Sequence, residues 1–412
     1  MLKIGMIGAR FVAGFHERAL RSVRGAELAG VYAPEGAEDL AKRAREDGLG
    51  NTQVYKNTAE LCSAVDVACI FAPNFARVEV MRDIVQAVKA GAKIKGIICE
   101  KPLARNLQEA NAMVKMAKEL GLPTAYFENQ IHMPSIVEAR RQLAAVEEQM
   151  GPVHLARSAE EHGGPHEPWF WDPTKQGGGV CCDMGCHSIA AGMYMVTPSS
   201  KPPNYLTPVS VTASMALLKW GKDPWLSQLR GRGVDYSATP AEDYSSVAIE
   251  FKDPKTGIHS VIQATNSWMY DAPGLRLLME AFGPGYSCTV NSLQSPAGLF
   301  ISDAAAAAVA DSELALEKAQ ATRGALVLQP NEPDLYGYIA EWRDALPAFE
   351  KGKNALLDFE YGRLITMLIM AAYMAHEQKK VIDLTDSAVL KELDSYVPLI
   401  QQGKGAQVLL GG

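Results

Sequence analysis

Short apolar runs alternate with longer amphipathic segments over residues 1 to about 130. The short runs have the length of buried strands, whereas the longer segments carry apolar residues at helical spacing. Strands are predicted at 3–7, 27–32, 67–71, 96–99 and 124–127, and helices at 11–23, 38–47, 78–89 and 107–120. This alternation predicts an α/β domain in which βαβ units build a doubly wound parallel sheet.

The pattern changes after Pro134. Strand-like segments at 209–218, 245–251, 260–265 and 275–280 follow one another without intervening helices, which predicts an α+β domain with a large, mostly antiparallel sheet. Two closing helices are predicted at 336–349 and 362–376. We expect a doubly wound domain at 1–130, a substrate-binding α+β domain at 131–385, and a tail at 386–412 that packs on the body.

Composition narrows the class of protein. The 412 residues are enough for two hydrophobic cores, and 48% apolar and 21% charged residues are ordinary for a globular protein. A net charge of -7 argues against a nucleic-acid partner, and no stretch reaches the roughly 20 apolar residues that span a bilayer. The cysteines follow no disulfide framework, which favours free thiols in a reducing compartment. These features predict a cytoplasmic protein that acts on a small molecule, with no membrane partner.

Residues 8–13, GARFVA, lie where a Rossmann dinucleotide fingerprint belongs, directly after the first predicted strand and at the start of a helix. The amides at such a helix start can bind a pyrophosphate. The first glycine of the pattern is present, the second is replaced by arginine, and the third by an alanine that the pattern allows. An ordinary βα turn is the alternative interpretation. The candidate cofactor contacts here are Gly8, Arg10, Phe11 and Ala13.

The end of the second strand bears on the choice between NAD and NADP. Ala33, a further candidate contact, occupies the position where an acid usually holds the adenosine ribose of NAD, and Glu35 follows two residues later. Arg10 either favours the extra phosphate of NADP or is a solvated loop residue. The choice stays open at this point, with NAD slightly favoured.

Two further segments carry candidate chemistry. Glu100-Lys101-Pro102 follows the strand at 96–99, where open α/β sheets bind ligands, and a lysine there can donate a proton or stabilise an alkoxide. Residues 177–187 read GGGVCCDMGCH, and Asp183 and His187 are four residues apart, which places both on one face of a helix. The alternatives are a surface lysine, and a helix-start aspartate with a core histidine.

Together with Ala72-Pro73-Asn74, these segments closely resemble the glucose-fructose oxidoreductase and inositol dehydrogenase family, known as Gfo/Idh/MocA. The motif match runs from residue 1 to about 190. The resemblance implies a nicotinamide cofactor and a catalytic set of Lys101, Asp183 and His187. It also implies cofactor contacts at Gly8, Ala13, Pro73, Asn74 and Glu100.

The chain departs from the family pattern at two places. Arg77 stands where a histidine often follows the Pro-Asn pair, and Gln130-Ile131 stand where basic residues are common. These departures concern the nicotinamide and substrate contacts around residues 129–132. Asn129 is a further candidate cofactor contact.

Residues 161–171, EHGGPHEPWFW, concentrate imidazoles and aromatic rings just before the glycine run. Aromatic faces bind apolar sugar faces and imidazoles bind hydroxyls, so this segment is predicted to form a substrate wall. Its candidate contacts are His162, His166, Trp169 and Trp171. A surface loop with core tryptophans is one alternative. A metal site formed by the two histidines with Asp183 and His187 is another, although we predict no metal.

These features predict an NAD(P)-dependent oxidoreductase that moves a hydride between the nicotinamide and a secondary hydroxyl or ketone of a sugar, polyol or glycoside. Retained-cofactor chemistry through a 3-keto sugar is compatible with the family. The rival classes are a metal-dependent hydrolase or lyase, and a non-catalytic dinucleotide-binding regulator, which would lose the lysine or the histidine. We expect a homo-oligomer, either a dimer or a tetramer, formed through the C-terminal sheet.

Overall fold

The computed structural model describes residues 1–271, 275–291, 297–301, 324–328 and 331–410. The chain divides into two compact units. The first contains Met1–Val137 and Glu332–Met367, and the second contains Glu138–Asn331 and Leu368–Gly412. Each unit is built on its own large sheet.

The sheet of the first unit is parallel. In chain order the unit begins with β1 (Leu2–Ile7), α1 (Phe11–Leu20), β2 (Ala26–Tyr32), α2 (Ala37–Glu46), β3 (Gln53–Val54), α3 (Thr58–Ala64), β4 (Val67–Ile70), α4 (Arg77–Lys89), β5 (Gly96–Glu100), α5 (Leu107–Leu120) and β6 (Thr124–Phe127). The strands lie in the order β3-β2-β1-β4-β5-β6, and every neighbouring pair is parallel. The order reverses between β1 and β4, so the switch point of a doubly wound sheet lies at their carboxyl ends.

The central strands of this sheet are apolar because both faces are covered. Every residue of β4, β5 and β6 is buried. Parallel strands of this kind read as continuous apolar runs, since helices pack on both sides of the sheet. The sequence therefore predicted these strands close to their observed bounds.

The rest of the chain contains the second large sheet and returns to the first unit at Glu332–Met367. The chain continues through α6 (Pro134–Met150), β7 (Leu155–Glu161), α7 (Pro173–Gln176), α8 (Val180–Asp183), α9 (Gly185–Val196), β8 (Thr207–Ala216), α10 (Trp225–Gly231), β9 (Tyr244–Lys252), β10 (His259–Ser267), β11 (Arg276–Gly283), β12 (Tyr286–Asn291), β13 (Ala297–Ile301), β14 (Gly324–Leu328), α11 (Glu332–Leu335), α12 (Tyr338–Glu350), α13 (Phe359–Gln378), β15 (Ile382–Asp383), α14 (Ser387–Ser395) and α15 (Gly405–Leu409). Seven strands lie in the order β12-β11-β7-β10-β9-β8-β15. β7 and β10 pair in parallel, and the other neighbours are antiparallel. The predicted fold class is confirmed.

Helix α9, which follows the glycine run, is fixed on this second sheet. It packs against β7 and β10. The Ser158 hydroxyl donates to the carbonyl oxygen of Ser188 at 2.6 Å, and the side-chain amide of Asn266 donates to the Ser188 hydroxyl at 2.6 Å. These buried hydrogen bonds fix the orientation and the position of α9 on the sheet.

Residues Glu332–Met367 belong to the first unit although all strands of the second sheet except β15 precede them in sequence. Trp342 of α12 is fully buried, and its ring meets that of Phe127 edge-on at a centroid distance of 5.1 Å. Its indole N–H donates to Nδ1 of His16 at 3.1 Å. Because an indole nitrogen only donates, Nδ1 accepts and the proton of the neutral imidazole lies on Nε2. Burial lowers the pKa of His16, which favours this neutral form.

Glu341, the residue before Trp342, brings a carboxyl group into the same core. It is 1% exposed, and neither of its oxygens has a hydrogen-bond partner among the described residues. Its Oε1 lies 3.7 Å from Nδ1 of His16. Burial, together with the negative charges of Glu100 and Glu128, raises the pKa of Glu341 well above its ordinary value.

Replacing Glu341 with methionine is expected to raise the free energy of unfolding near neutral pH by about 1–3 kcal/mol, because a buried carboxyl without a partner is removed. The folded protein binds this proton more tightly than the unfolded chain does. The stability linked to that proton is therefore complete below the ordinary pKa of 4.5 and is lost as the pH rises.

Urea unfolding at about pH 5 and about pH 8 measures this effect, and the wild type should lose more stability across the interval than Glu341→Met. The exposed Glu350 at the end of the same helix provides a control, because Glu350→Met should follow the wild type. Equal pH responses in all three proteins would contradict the prediction.

No helix in the described ranges is long and apolar enough to cross a membrane. All seven cysteines carry free thiols. Cys181, Cys182 and Cys186 are buried around the start of α9, where they pack the interior.

Candidate active site

The turn between β1 and α1 requires a glycine at its first position. Gly8 has φ 121°, and a Cβ atom there would lie 2.5 Å from the carbonyl oxygen of Phe71. Its N–H donates to the Tyr32 carbonyl at 2.9 Å. The turn is thereby held against the ends of β2 and β4, at the switch point of the sheet.

The start of α1 is suited to an anion. The residue before the helix, Arg10, makes no side-chain hydrogen bond to its first turn, and that turn contains no acidic residue. The first amides of a helix lack partners within the helix, and its dipole favours negative charge. Ala13 is fully buried, which suits the close helix packing that the third fingerprint position needs, whereas Phe11 is 46% exposed. The turn therefore fits a dinucleotide pyrophosphate.

Arg10 and Glu35 form an ion pair beside this turn, and both side chains are exposed. Glu35 follows β2, so the pair joins the glycine turn to the loop where a Rossmann protein contacts the adenosine ribose. Ala33 is partly buried against the core of the unit. Arg10 is thus paired with an acid rather than fully solvated.

Arg77 connects the two loops that follow β4 and β5. It is only 4% exposed, and its guanidinium donates to the carbonyl oxygens of Ala72 at 3.0 Å, Glu100 at 2.6 Å and Lys101 at 3.1 Å, and also to that of Pro102. Arg77, which stands where the family often has a histidine, is therefore buried and hydrogen-bonded to two loops. One is the loop before Asn74, and the other contains Lys101. Asn74 itself is 2% exposed at the start of a short turn.

The carboxylate of Glu100 is bonded on both oxygens inside the unit. Oε1 accepts from Nε2 of His16 at 2.8 Å, and Oε2 accepts the N–H of Lys101 at 2.8 Å. Burial opposes ionisation, but the His16 bond and the nearby charges of Lys101 and Arg77 hold the pKa of Glu100 below its usual value. A series of hydrogen bonds thus runs from Trp342 through His16 to Glu100, which binds the backbone N–H of Lys101.

Asn129 lies after β6 and is 8% exposed. Its side-chain amide donates to the carbonyl oxygen of Tyr336 at 2.7 Å. Gly337 approaches it closely, with φ 87° and no room for a Cβ atom beside the Asn129 carbonyl. The amide N–H therefore anchors the start of α12, and a cofactor contact of Asn129 stays a prediction.

In the second unit, Asp183 and His187 flank a break between two helices. Asp183 ends α8, His187 lies in the first turn of α9, and Met184 separates them. The sequence predicted both residues on one face of a helix, whereas the structure has two helices that meet at Met184, a residue that itself keeps helical backbone angles. Both side chains are nearly buried, at 5% and 6% exposed.

The carboxylate of Asp183 faces a tryptophan and a histidine. The indole N–H of Trp268 donates to Oδ2 at 3.3 Å, and Nε2 of His162 lies 3.8 Å from the same oxygen. The N–H of Gly164 donates to Nδ1 of His162 at 2.9 Å, so a neutral His162 carries its proton on the nitrogen that faces Asp183. The structure thus brings His162 to the predicted catalytic aspartate.

The predicted substrate wall is only partly accessible. Trp171 is 2% exposed and meets Trp220, Trp268 and Tyr236 at centroid distances of 4.8, 5.0 and 5.2 Å. It is a core residue, which corrects the expectation that its face is available to a sugar. His166 is exposed and Trp169 is partly exposed, with its ring stacked on Phe170. The residues still available for the predicted wall are His162, His166 and Trp169.

The geometry does not favour the alternative metal site. Within the described ranges, no three of the four candidate ligands bring their ligand atoms within 4.8 Å of one another; these candidates are His162, His166, Asp183 and His187. A hydrolase or lyase that depends on such a site has no support from this arrangement.

Comparison with known proteins agrees with both halves of this description. The family model described as an oxidoreductase family with an NAD-binding Rossmann fold matches residues 2–127, and the model for the GFO/IDH/MocA C-terminal domain matches residues 137–283. The chain belongs to the Gfo/Idh/MocA family. The resemblance inferred from the motifs is confirmed, and the first unit of this Gfo/Idh/MocA protein is an NAD-binding domain.

Curated relatives match parts of the chain. Glucose-6-phosphate 3-dehydrogenase of Bacillus subtilis is 36% identical over 124 residues, which cover 30% of this chain and 32% of that protein. D-glucoside 3-dehydrogenase of Escherichia coli is 28% identical over 158 residues, covering 37% and 43%. Levoglucosan dehydrogenase of Pseudarthrobacter phenanthrenivorans is 27% identical over 212 residues, covering 47% and 51%. The matches thus span roughly a third to a half of these relatives.

Solved structures match over nearly the whole length. A protein from gentamicin A biosynthesis in complex with NAD aligns with a TM-score of 0.72 at 21% identity, covering 93% of this chain and 96% of the other. A myo-inositol dehydrogenase from Corynebacterium glutamicum aligns with a TM-score of 0.67 at 18% identity, covering 94% and 100%. At these identities the likeness shows that the two-sheet fold is shared.

Several residues that hold this Gfo/Idh/MocA site were not found from the sequence. In the first unit Trp342 donates a hydrogen bond to His16, and in the second Trp268 donates one to Asp183. A weak signal existed for His16, which lies on the apolar face of α1 between buried alanines. The two tryptophans gave none, because a tryptophan in a strand or helix is usually a packing residue.

Proposed function

We propose that this protein is an NAD(P)-dependent dehydrogenase that transfers a hydride between the nicotinamide and a secondary hydroxyl or ketone of a sugar, polyol or glycoside. The observation that carries the proposal is the pairing of two features in one NAD-binding unit: the Gly8 turn at the switch point, and Lys101 braced at the end of β5. Curated relatives named as 3-dehydrogenases of glucose 6-phosphate and of glucosides support a sugar ring as the substrate.

The bound cofactor supplies the hydride acceptor or donor, and this chain's residues manage the proton. His187 takes the proton of the reacting hydroxyl as a general base, and the ammonium of Lys101 stabilises the alkoxide oxygen. Asp183, held by the Trp268 indole, orients the substrate and the base. His162, His166 and Trp169 contact the remaining hydroxyls and the apolar face of the ring. For a glycoside oxidised at ring position 3, the product is a 3-keto sugar.

Nicotinamide absorbance tests this proposal directly. The purified protein is incubated with NAD or NADP and with a panel of glucosides, glucose 6-phosphate, anhydrosugars and inositols. At least one member should be oxidised, and His187→Asn should abolish that turnover while cofactor binding persists. A protein that binds NAD but oxidises no panel member, and reduces none of the corresponding ketones, would contradict the proposal.

Cofactor choice is expected to depend on the Arg10–Glu35 ion pair. We expect the wild type to use both cofactors with less than about a hundredfold preference, roughly 2.7 kcal/mol, because the acid occupies the arginine. Glu35→Gln frees the guanidinium for the ribose phosphate and should shift the preference toward NADP by about tenfold. Arg10→Ala should shift it toward NAD.

Calorimetric titration of both cofactors measures these shifts. Glu38→Gln, which alters an exposed acid at the start of α2, is the matched control and should leave the ratio unchanged. If Glu35→Gln and Glu38→Gln change the ratio equally, general charge rather than this ion pair determines the choice.

Assembly and location are part of the same proposal. We propose a cytoplasmic dimer or tetramer formed through the second sheet. In β9, β10 and β11 buried residues alternate with partly exposed ones, so the described residues cover one face of the sheet incompletely. Light scattering on the purified protein distinguishes this assembly from a monomer.

A further inference from the structure

Two consecutive acidic residues lie completely inside the second unit, directly before β9. Glu242 and Asp243 are both 0% exposed. A buried carboxylate is costly unless hydrogen bonds replace its water. Their partners therefore show what these two residues do.

Glu242 accepts hydrogen bonds from the start of the segment that contains Asp183. Its Oε1 accepts the N–H groups of Gly179 and Cys181, each at 3.0 Å, and the hydroxyl of Tyr373 at 2.6 Å. The N–H of Val180 donates to the backbone carbonyl of Glu242 at 3.0 Å. Three successive backbone N–H groups at the start of α8 thus donate hydrogen bonds to Glu242.

This approach explains two glycines of the run. A Cβ atom on Gly178 would overlap the Tyr373 hydroxyl, and one on Gly179 would overlap the Glu242 backbone carbonyl. Gly179 has φ -102°, a value open to any residue, so the constraint there is space rather than backbone conformation. Glycines at 178 and 179 therefore allow the backbone of the run to pack closely against Glu242 and Tyr373.

Asp243 holds the other side of Asp183. Its backbone carbonyl accepts the N–H of Trp268 at 2.9 Å, and the indole of that tryptophan donates to Asp183. Its carboxylate accepts the N–H groups of Leu218, Lys219 and Trp220 at 2.7, 2.7 and 2.8 Å. The indole of Trp220 in turn donates to the Trp268 carbonyl at 2.8 Å.

Both the backbone N–H and the carboxylate of Asp183 are consequently linked, through one residue each, to Glu242 and Asp243. Its N–H donates to the carbonyl oxygen of Gly179 at 3.1 Å, and Gly179 is bound by Glu242. Its carboxylate accepts from Trp268, whose backbone is bound by Asp243. The two routes start from adjacent residues, so a shift of this pair would move the backbone and the side-chain partner of Asp183 together.

We propose that Glu242 and Asp243 are positioning residues for Asp183, with Tyr373 fixing the carboxylate of Glu242. This inference rests on the proposed role of Asp183 in the dehydrogenase reaction. A misplacement of about 1 Å in a catalytic group can lower the rate of the chemical step about a hundredfold.

The chain offers a sharp pair of substitutions at Glu242. Oε1 receives all three donors, whereas Oε2 accepts only from Gly179, which Oε1 also binds, in the described structure. A glutamine with its carbonyl at the Oε1 position keeps these three bonds, while its NH2 group replaces Oε2 at 3.1 Å from the Gly179 nitrogen. A methionine of similar length loses every acceptor.

In the full-length protein, Glu242→Met is expected to lower kcat by about tenfold or more, and Glu242→Gln should restore it to within about threefold of the wild type. The Kd for NAD should not change. Ile249→Ala, a fully buried change in β9, controls for lost stability, and all variants are assayed below their melting temperatures. Positioning is refuted if Ile249→Ala lowers kcat as much as Glu242→Met, or if Glu242→Met turns over normally.

A second readout does not depend on activity. The indole N–H NMR signal of Trp268, assigned with Trp268→Phe, reports the bond to Asp183. It should move in Asp183→Asn and in Glu242→Met but stay in place in Glu242→Gln and Ile249→Ala. An unmoved signal in Glu242→Met overturns the inference. If instead Asp183→Asn keeps full turnover while the signal moves as expected, the proposed role of Asp183 fails and the structural link survives.

Discussion

Lys101→Ala is expected to lower kcat by about a hundredfold or more while NAD still binds, which is the usual scale for one proton-transfer or charge-stabilising group. The backbone of Lys101 is held without its side chain. Its N–H lies near Glu100 Oε2 at 2.8 Å and the Phe127 carbonyl at 3.1 Å, and its carbonyl accepts from Arg77. Truncation at Cβ leaves these bonds intact, so the loop should keep its shape.

Stopped-flow or steady-state turnover on the substrate found by the panel gives kcat, and fluorescence titration gives the Kd for NAD. Lys115→Ala, an exposed lysine on α5, is the matched control and should behave as the wild type. A Lys101→Ala enzyme with near-normal kcat would remove the lysine from the mechanism. Equal losses of kcat and NAD affinity would show instead that the loop had moved.

Gly8→Ala is expected to destabilise the protein by about 3 kcal/mol or more and to abolish NAD binding. The cost has two sources, each of about 1–3 kcal/mol: a side chain at φ 121°, and a Cβ atom forced against the backbone. That Cβ atom would stand 2.5 Å from the Phe71 carbonyl oxygen and 2.9 Å from the Ala72 nitrogen. Backbone atoms at the end of a central strand cannot move aside as a flexible side chain does.

The same helix start provides the control for this change. Gly14 lies inside α1, and a Cβ atom there meets nothing within 4 Å. Gly14→Ala should therefore stabilise the protein by about 0.5–1 kcal/mol through helix propensity. Urea unfolding of both variants measures the difference. A Gly8→Ala protein with wild-type stability and NAD affinity would show that the turn tolerates a side chain.

The sequence predicted the first unit's sheet well where burial imposes a pattern. The run predicted at 67–71 is observed as β4 at Val67–Ile70, and the helix predicted at 107–120 is α5 at Leu107–Leu120. β3 and α3 were not predicted. β3 has two residues and α3 has seven, so neither is long enough to show a period.

The second unit was harder to predict for a physical reason. β7 at Leu155–Glu161 alternates buried with more exposed residues and includes charged residues, so it lacks the continuous apolar run of a central parallel strand. It nevertheless lies in the middle of the sheet, paired with β10 and β11. The alanine run at 304–308, which is too short to span a bilayer, lies outside the described residues.

By itself the sequence determined the chemistry available to this protein: the Gly8 turn, the lysine after β5, and the aspartate and histidine after the glycine run are all local patterns. Only the tertiary structure decided how these groups are held. Glu242 is 63 residues from Gly179, Trp268 is 85 from Asp183, and Trp342 is 326 from His16. Local periodicity reports which face of an element is buried, whereas a hydrogen bond across such distances depends on how sheets and helices pack.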